Sequence, residues 1–213
     1  MTDLEWHGEQ VAFRELNLFD HNPGVGEIDL RAVRAYRLAR VRQAMADREI
    51  SACILSDPVN IRYATGTRNM QVFTSRNQPA RYLLLTASDA ILYEFTGCMH
   101  LADGAETVTE IRAATTASFV AAGERIAERE IRWARETAAD VHGLVGSNVK
   151  IGIERLNAGA SLALSREGFK LVDAQEPLEI ARAIKSTEEL KCVRASLRAT
   201  EVAVAQLREA IRP

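Results

Sequence analysis

The chain has 213 residues, 47% apolar and 26% charged, with a net charge of −2, which describes a globular protein long enough to bury a sizeable core. The near-neutral balance implies no nucleic-acid or anionic-membrane partner, and no apolar run reaches the ~18 residues that a membrane span needs. Three widely spaced cysteines, Cys53, Cys98 and Cys192, without a Cys-x-x-Cys, read as reduced thiols, and the start Met1-Thr2-Asp3-Leu4-Glu5-Trp6 lacks the basic end and apolar core of a signal peptide. A cytoplasmic protein is expected.

Residues 1–29 read as a polar arm with isolated aromatics, Trp6, Phe13 and Phe19, interrupted by Asn22-Pro23-Gly24-Val25-Gly26. Such an arm either packs on a neighbouring domain or is a loosely ordered tail. Its Gly24-x-Gly26 is no nucleotide loop, having no preceding strand and no third glycine. Residues 30–48 carry Leu30, Val33, Leu38, Val41 and Met45 at helical spacing. Ser51–Leu55 is short and continuously apolar, as a buried central strand would be. Asp57-Pro58 signals a helix start, with a carboxylate to cap free N–H groups and a proline to fix the first turn. That helix is expected to end at Gly66.

Arg81–Thr86 and Ala90–Phe95, separated by Ala87-Ser88-Asp89, predict a hairpin, and a strand follows near Val108–Arg112. Residues 116–142 predict the longest surface helix, with Phe119, Ile126, Trp133 and Val141 among its apolar positions. Val149–Glu154, residues 158–167 and Phe169–Asp173 predict strand, helix, strand. The alternation implies an α/β fold, a mixed sheet flanked by helices. A last helix opens at a capping box, Ser186 with Glu189. It carries a narrow stripe of Leu190, Val193, Leu197, Val204, Leu207 and Ile211, with Thr200 in the one gap. A stripe of that length wants a covering surface.

Chemistry-bearing clusters are scarce. The histidines, His7, His21, His100 and His142, show no i,i+4 pair and no His-Glu-x-x-His. Asp103 lies near His100, but two groups are not a ligand set. There is no Gly-x-Ser-x-Gly. Cys53 falls in a buried strand, where a thiol behaves as a small hydrophobe. Cys98, two residues from His100, has no spacing that guarantees contact. No catalytic residue and no metal ligand is therefore assigned. The polar stretch from Thr67 to Arg81 remains, with Arg68, Arg76 and Arg81, several amides and Phe73. Guanidinium forks and orientable amides suit a carboxylate. Arg76 is the first candidate for such a contact, with Arg68, Asn69 and Gln71 behind it. The alternative is a solvated loop with structural arginines.

Two segments carry a resemblance. Asn60-Ile61-Arg62-Tyr63-Ala64-Thr65-Gly66 is similar to the Asn-x-x-Tyr/Phe-x-Ser/Thr-Gly segment of the creatinase/prolidase/aminopeptidase P family. Ala181-Arg182-Ala183-Ile184-Lys185-Ser186-Thr187-Glu188-Glu189-Leu190 resembles that family's Arg-x-Ile-Lys-Ser-x-x-Glu-Ile/Leu junction. The resemblance covers roughly residues 30–213; after the 1–29 arm it implies a creatinase-like N-terminal domain over 30–176, and over 177–213 a junction with the first helix of a catalytic domain that is absent from the sequence. It implies an N-terminal dimerisation and substrate-pocket domain of a metallo-enzyme of the Xaa-Pro dipeptidase or aminopeptidase type, inactive by itself. A homodimer and a small carboxylate-bearing substrate, reached by the 67–81 loop across the dimer, are implied too. Two divalent ions (Mn, Zn, Co or Fe) would bind in the missing domain, through ligand motifs with no matching position here. The run Asp57–Thr65 followed by Asn69-Met70-Gln71 looks closest to the dimethylsulfoniopropionate lyase branch, which cleaves a C–S bond on the same scaffold. A freestanding, non-enzymatic binding or dimerisation module is the other alternative. A nuclease-like site is disfavoured because Asp57, Asp89 and Asp173 are scattered.

Overall fold

The computed structural model describes residues 26–70 and 79–211. Of these, 34–184 form one compact unit, and 26–33 with 185–211 form a second. Most of the 1–29 arm lies outside the described residues. In chain order the elements are α1 (Leu30–Ala46), β1 (Ala52–Leu55), α2 (Pro58–Thr65), β2 (Tyr82–Thr86) and β3 (Ala90–Glu94). A 3-10 turn, Thr96–Ala102, leads to β4 (Glu110–Ala113), α3 (Phe119–Ala122), α4 (Ile126–Val145) and β5 (Lys150–Ile153). Then come α5 (Ala158–Ser165), β6 (Lys170–Asp173), α6 (Gln175–Ala183) and α7 (Thr187–Ala210).

The strands form one mixed sheet in the order β4-β3-β2-β1-β5-β6. The β1–β2 and β2–β3 pairs are antiparallel, while β1–β5, β5–β6 and β3–β4 are parallel. β1 lies centrally and every one of its residues is buried. Successive side chains alternate between faces, so the sheet feeds two cores. Cys53, Leu55, Leu83, Leu85 and Leu92 join Val41, Met45, Ile61, Tyr63, Leu178 and Ala181 on one face. Ala52, Ile54, Tyr82, Leu84, Ile91 and Tyr93 join Trp133, Val141, Ile151 and Leu164 on the other. At Cys53, burial pushes the thiol up to about 12, with the Glu154 charge acting in the same direction. Its reading as an inert core residue holds.

Helix α2 follows its sequence signals. Asp57 Oδ1 accepts from the backbone N–H groups of Val59 at 2.7 Å and Asn60 at 3.3 Å. Gly66 ends the helix at φ +76°, a left-handed conformation that costs glycine nothing sterically. A Cβ at position 66 would also sit 2.4 Å from Arg34 Cδ, so the Arg34 side chain would have to shift. The predicted hairpin is present, closed by Thr86 N–H donating to the Asp89 carbonyl at 2.9 Å.

The predicted helix over 116–142 needs correcting. It breaks at Gly123, which takes φ +55°, and the long helix begins only at Ile126. Phe119, expected on the apolar face, is 68% exposed. Nor is it the longest helix, since α7 has 24 residues against 20 for α4. The capping box at the head of α7 is as expected. Ser186 Oγ accepts from Glu189 N–H at 3.2 Å, and Glu189 Oε2 accepts from Ser186 N–H at 2.9 Å. The stripe residues of α7 are each 43–68% exposed. Among the described residues, no helix is long and apolar enough to cross a membrane.

Candidate functional site

Two buried carboxylates organise the polar chemistry of the 34–184 unit. The first is Glu94, at the end of β3 and fully buried. Its Oε2 accepts from Arg81 Nε at 2.5 Å, in an ion pair whose two side chains are 2% and 0% exposed. Its Oε1 accepts from Asn69 Nδ2 at 2.7 Å and from Phe95 N–H at 3.0 Å. Arg81 Nη2 donates to Thr67 Oγ1 at 2.8 Å, and Thr67 Oγ1 lies 2.7 Å from Thr65 Oγ1. Thr65 Oγ1 in turn donates to the Ile61 carbonyl of α2 at 2.7 Å. Thr67, Asn69 and Arg81 belong to the stretch singled out in the sequence, on either side of residues 71–78. One carboxylate therefore ties both stems of that stretch to the hairpin.

The four sequence-predicted contact residues separate accordingly. Asn69 is engaged, its Nδ2 on Glu94 and its Oδ1 accepting from Met70 N–H at 2.7 Å. Arg68 is exposed and has no hydrogen-bond or ion-pair partner among the described residues. Gln71 and Arg76 lie outside the described residues. Arg81 is the structural arginine of the stretch. The hairpin register contains the signal for it. Tyr82 pairs with Tyr93, and one more step sets Arg81 opposite Glu94, an opposite-charge cross-strand pair.

The second carboxylate is Glu154, just past β5 and 3% exposed. Its Oε1 accepts from Asn60 Nδ2 at 2.5 Å and its Oε2 from Asp57 N–H at 3.1 Å. Arg182 Nη1 donates to Asn60 Oδ1 at 3.0 Å. Tyr63 Oη donates to the Ala181 carbonyl at 2.9 Å, and the Arg37 guanidinium stacks 5.2 Å from the centre of the Tyr63 ring. The two segments that carry the family resemblance are thus bonded to each other, Asn60 to Arg182 and Tyr63 to Ala181. Their part here is structural. They fasten the last helix of the unit, α6, against α2. Burial pushes the Glu154 carboxyl above the ordinary carboxylate range, while the Asn60 amide and the Asp57 N–H pull it back.

Beside the Thr67 stem a cleft of about 510 Å³ opens. Three separate stretches line it: Arg34 from α1, Thr65–Arg68 from the end of α2, and Leu101–Glu106 after the 3-10 turn. Arg34 Nε pairs with Glu106 Oε1 at 2.6 Å, and Thr107 Oγ1 donates to the Thr65 carbonyl at 2.5 Å, pinning the two walls. His100 and Cys98 sit on the 3-10 turn, and His142 stacks on Phe169 at 4.6 Å. Among the described residues no three His, Cys, Asp or Glu side chains converge to hold a metal ion. These residues do not fit a two-metal centre.

Comparison with known proteins agrees with this architecture. The chain is 28% identical over 185 residues to a dimethylsulfoniopropionate lyase, DddP, of Roseovarius nubinhibens, covering 86% of this chain and 41% of that protein. It is 27% identical over 210 residues to the protein of the same name from Roseobacter denitrificans, covering 98% and 46%. The chain therefore spans less than half the length of these curated relatives. Among solved structures, an Xaa-Pro dipeptidase from Bacillus anthracis superimposes with a TM-score of 0.58 at 18% identity, covering 84% of this chain and 44% of that one. That likeness is one of fold. Residues 37–184 match the family described as Creatinase/Prolidase N-terminal domain, and the chain belongs to that family.

Proposed function

We propose that this chain is the N-terminal domain of a dimethylsulfoniopropionate lyase-like enzyme, and that it shapes the mouth of the substrate pocket within a homodimer. The observation that carries this reading is the similarity to two lyases along 86% and 98% of the chain. The peptidase reading rests on likeness of fold alone. The clamp around Glu94 supports the pocket role. It fixes both stems of the 67–81 stretch, so side chains carried there start from a rigid base, as recognition requires. In this reading Arg68, Arg76 and Gln71 meet the substrate carboxylate while Asn69 holds the stem. The chemistry belongs to a catalytic domain following the junction, where two divalent ions would polarise the substrate and activate a base or water. The 213 residues alone are inactive.

The test is to express the protein with whatever residues follow position 213 in its gene. Dimethyl sulfide release from dimethylsulfoniopropionate and proline release from Xaa-Pro dipeptides are then measured side by side. Sulfide without proline is the expected result. Proline without sulfide would transfer the protein to the peptidases. Neither product would favour a binding or dimerisation module.

A further inference from the structure

We propose that the cleft between Thr65–Arg68 and Leu101–Glu106 binds a small zwitterion, its carboxylate on Arg68 and its cationic centre on Asp103. The inference rests on the lyase-like reading only for the choice of probe. The cleft itself is lined by two cations and two anions, Arg34, Arg68, Asp103 and Glu106. Arg34 and Glu106 are joined at 2.6 Å. Among the described residues, Arg68 and the Asp103 carboxylate have no hydrogen-bond or ion-pair partner. One free charge of each sign is left on a lining of zero net charge.

That arrangement discriminates by charge pattern. A simple anion attracted to Arg68 meets the repulsion of Asp103, and a simple cation attracted to Asp103 meets that of Arg68. A molecule carrying both charges satisfies both at once. Room for it exists. Gly104 takes φ +73° and presents no side chain, with nothing within 4 Å of where a Cβ would stand. Leu101, 49% exposed, and Ala105 offer apolar surface to the methylene or methyl groups beside an onium centre. The Thr107 to Thr65 bond pins the two walls to each other, so they do not have to be ordered by the ligand. Because both charged groups face water, each contact is weak and screened by salt.

The experiment uses the 213-residue chain and NMR or calorimetric titration at low ionic strength. The probes are dimethylsulfoniopropionate and glycine betaine as zwitterions, propionate as the anion and trimethylsulfonium as the cation. The zwitterions are expected to saturate, with each half-molecule at least about tenfold weaker. Arg68→Ala and Asp103→Asn should each raise Kd about fivefold, equivalent to ~1 kcal/mol. The melting temperature should not move, since neither side chain has a partner to lose. Propionate binding as tightly as the zwitterions, zwitterion binding unmoved by both substitutions, or no saturable binding would each overturn the proposal. Sulfide release by the longer protein without binding in this cleft would sink the inference and leave the lyase-like reading. Binding here without sulfide release would do the reverse.

Discussion

Glu94 and Glu154 are both buried carboxylates, and the fold treats them in opposite ways. Glu94 is given a full counter-charge, the Arg81 guanidinium, plus two neutral donors. Glu154 is given neutral donors only, the Asn60 amide and the Asp57 N–H, and the Arg182 guanidinium reaches it only through Asn60. The difference matches what each must hold. Glu94 ties the stems of a polar stretch to a hairpin, where a geometrically exacting ion pair fixes both sides. Glu154 fastens helix to sheet beneath the segment leading to the junction. Charge pairing makes the first clamp costly to break singly, and the lack of it makes the second sensitive to protonation.

The largest expected effect is therefore at Glu94. Arg81→Met leaves a buried carboxylate without a counter-charge, which costs ~3–5 kcal/mol. The double change Arg81→Met with Glu94→Leu should recover much of that loss, because a buried ion pair can often be replaced by packed apolar groups at little cost. Urea unfolding of the two variants checks both statements. If the single and double variants are equally destabilised, the ion pair is not what holds the clamp. Asn60→Ala comes next. It strips Glu154 Oε1 of its donor and leaves Arg182 Nη1 with Glu179 as acceptor, and should cost ~1–3 kcal/mol. Glu154→Leu in the Asn60→Ala background should then be less harmful than in the parent, and a strictly additive pair of losses would dissolve the proposed link.

Much of this fold is legible in the sequence, because its signals are local. Asp57-Pro58 and Gly66 bracket α2, Ser186 and Glu189 open α7, and Ala87-Ser88-Asp89 turns the hairpin. Where the signal is weak, the reading fails. The reading misses α6: Ala174 at its start has no side-chain cap, and only Pro177, Leu178 and Ala181 of its nine residues are buried, although Asp173 Oδ1 accepts from Gln175 N–H at 2.8 Å. Gly123 is a single residue inside an otherwise helical pattern, and its positive φ moves the start of α4 to Ile126. The site divides along the same line. The polar stretch 67–81 stands out by composition, but the partner of Asn69 lies 25 residues away and that of Asn60 lies 94 away. Only the packed sheet brings those pairs together. Composition points to a carboxylate reader and says nothing of which arginine is already spent. Arg81, buried and paired, and Arg68, exposed and free, look alike until the hairpin register is laid down.

The smallest effect sharpens the comparison most. Burial raises the folded pKa of Glu154 above its ordinary value. Over the interval between the unfolded and folded values the native state holds more protons than the unfolded one, so this group's contribution to stability falls as pH rises. The fall begins near the ordinary value of 4.5 and ends above the raised folded pKa. Glu154→Gln has no charge to lose and keeps an oxygen that can accept from Asn60 or from Asp57 N–H. Its stability should be flatter across that interval, so the gap between variant and parent should shift in the variant's favour as pH rises from 4.5 towards neutrality. Urea midpoints taken through that range at constant ionic strength read the gap directly. Since the other carboxylates titrate in both proteins, their contribution cancels in the difference. A gap constant with pH would mean that Glu154 has the same pKa folded as unfolded, with the Asn60 and Asp57 donors fully offsetting burial. A gap moving the other way would mean that the ionised form is the one the Asn60–Asp57 pocket prefers, and that the amide and N–H outweigh burial.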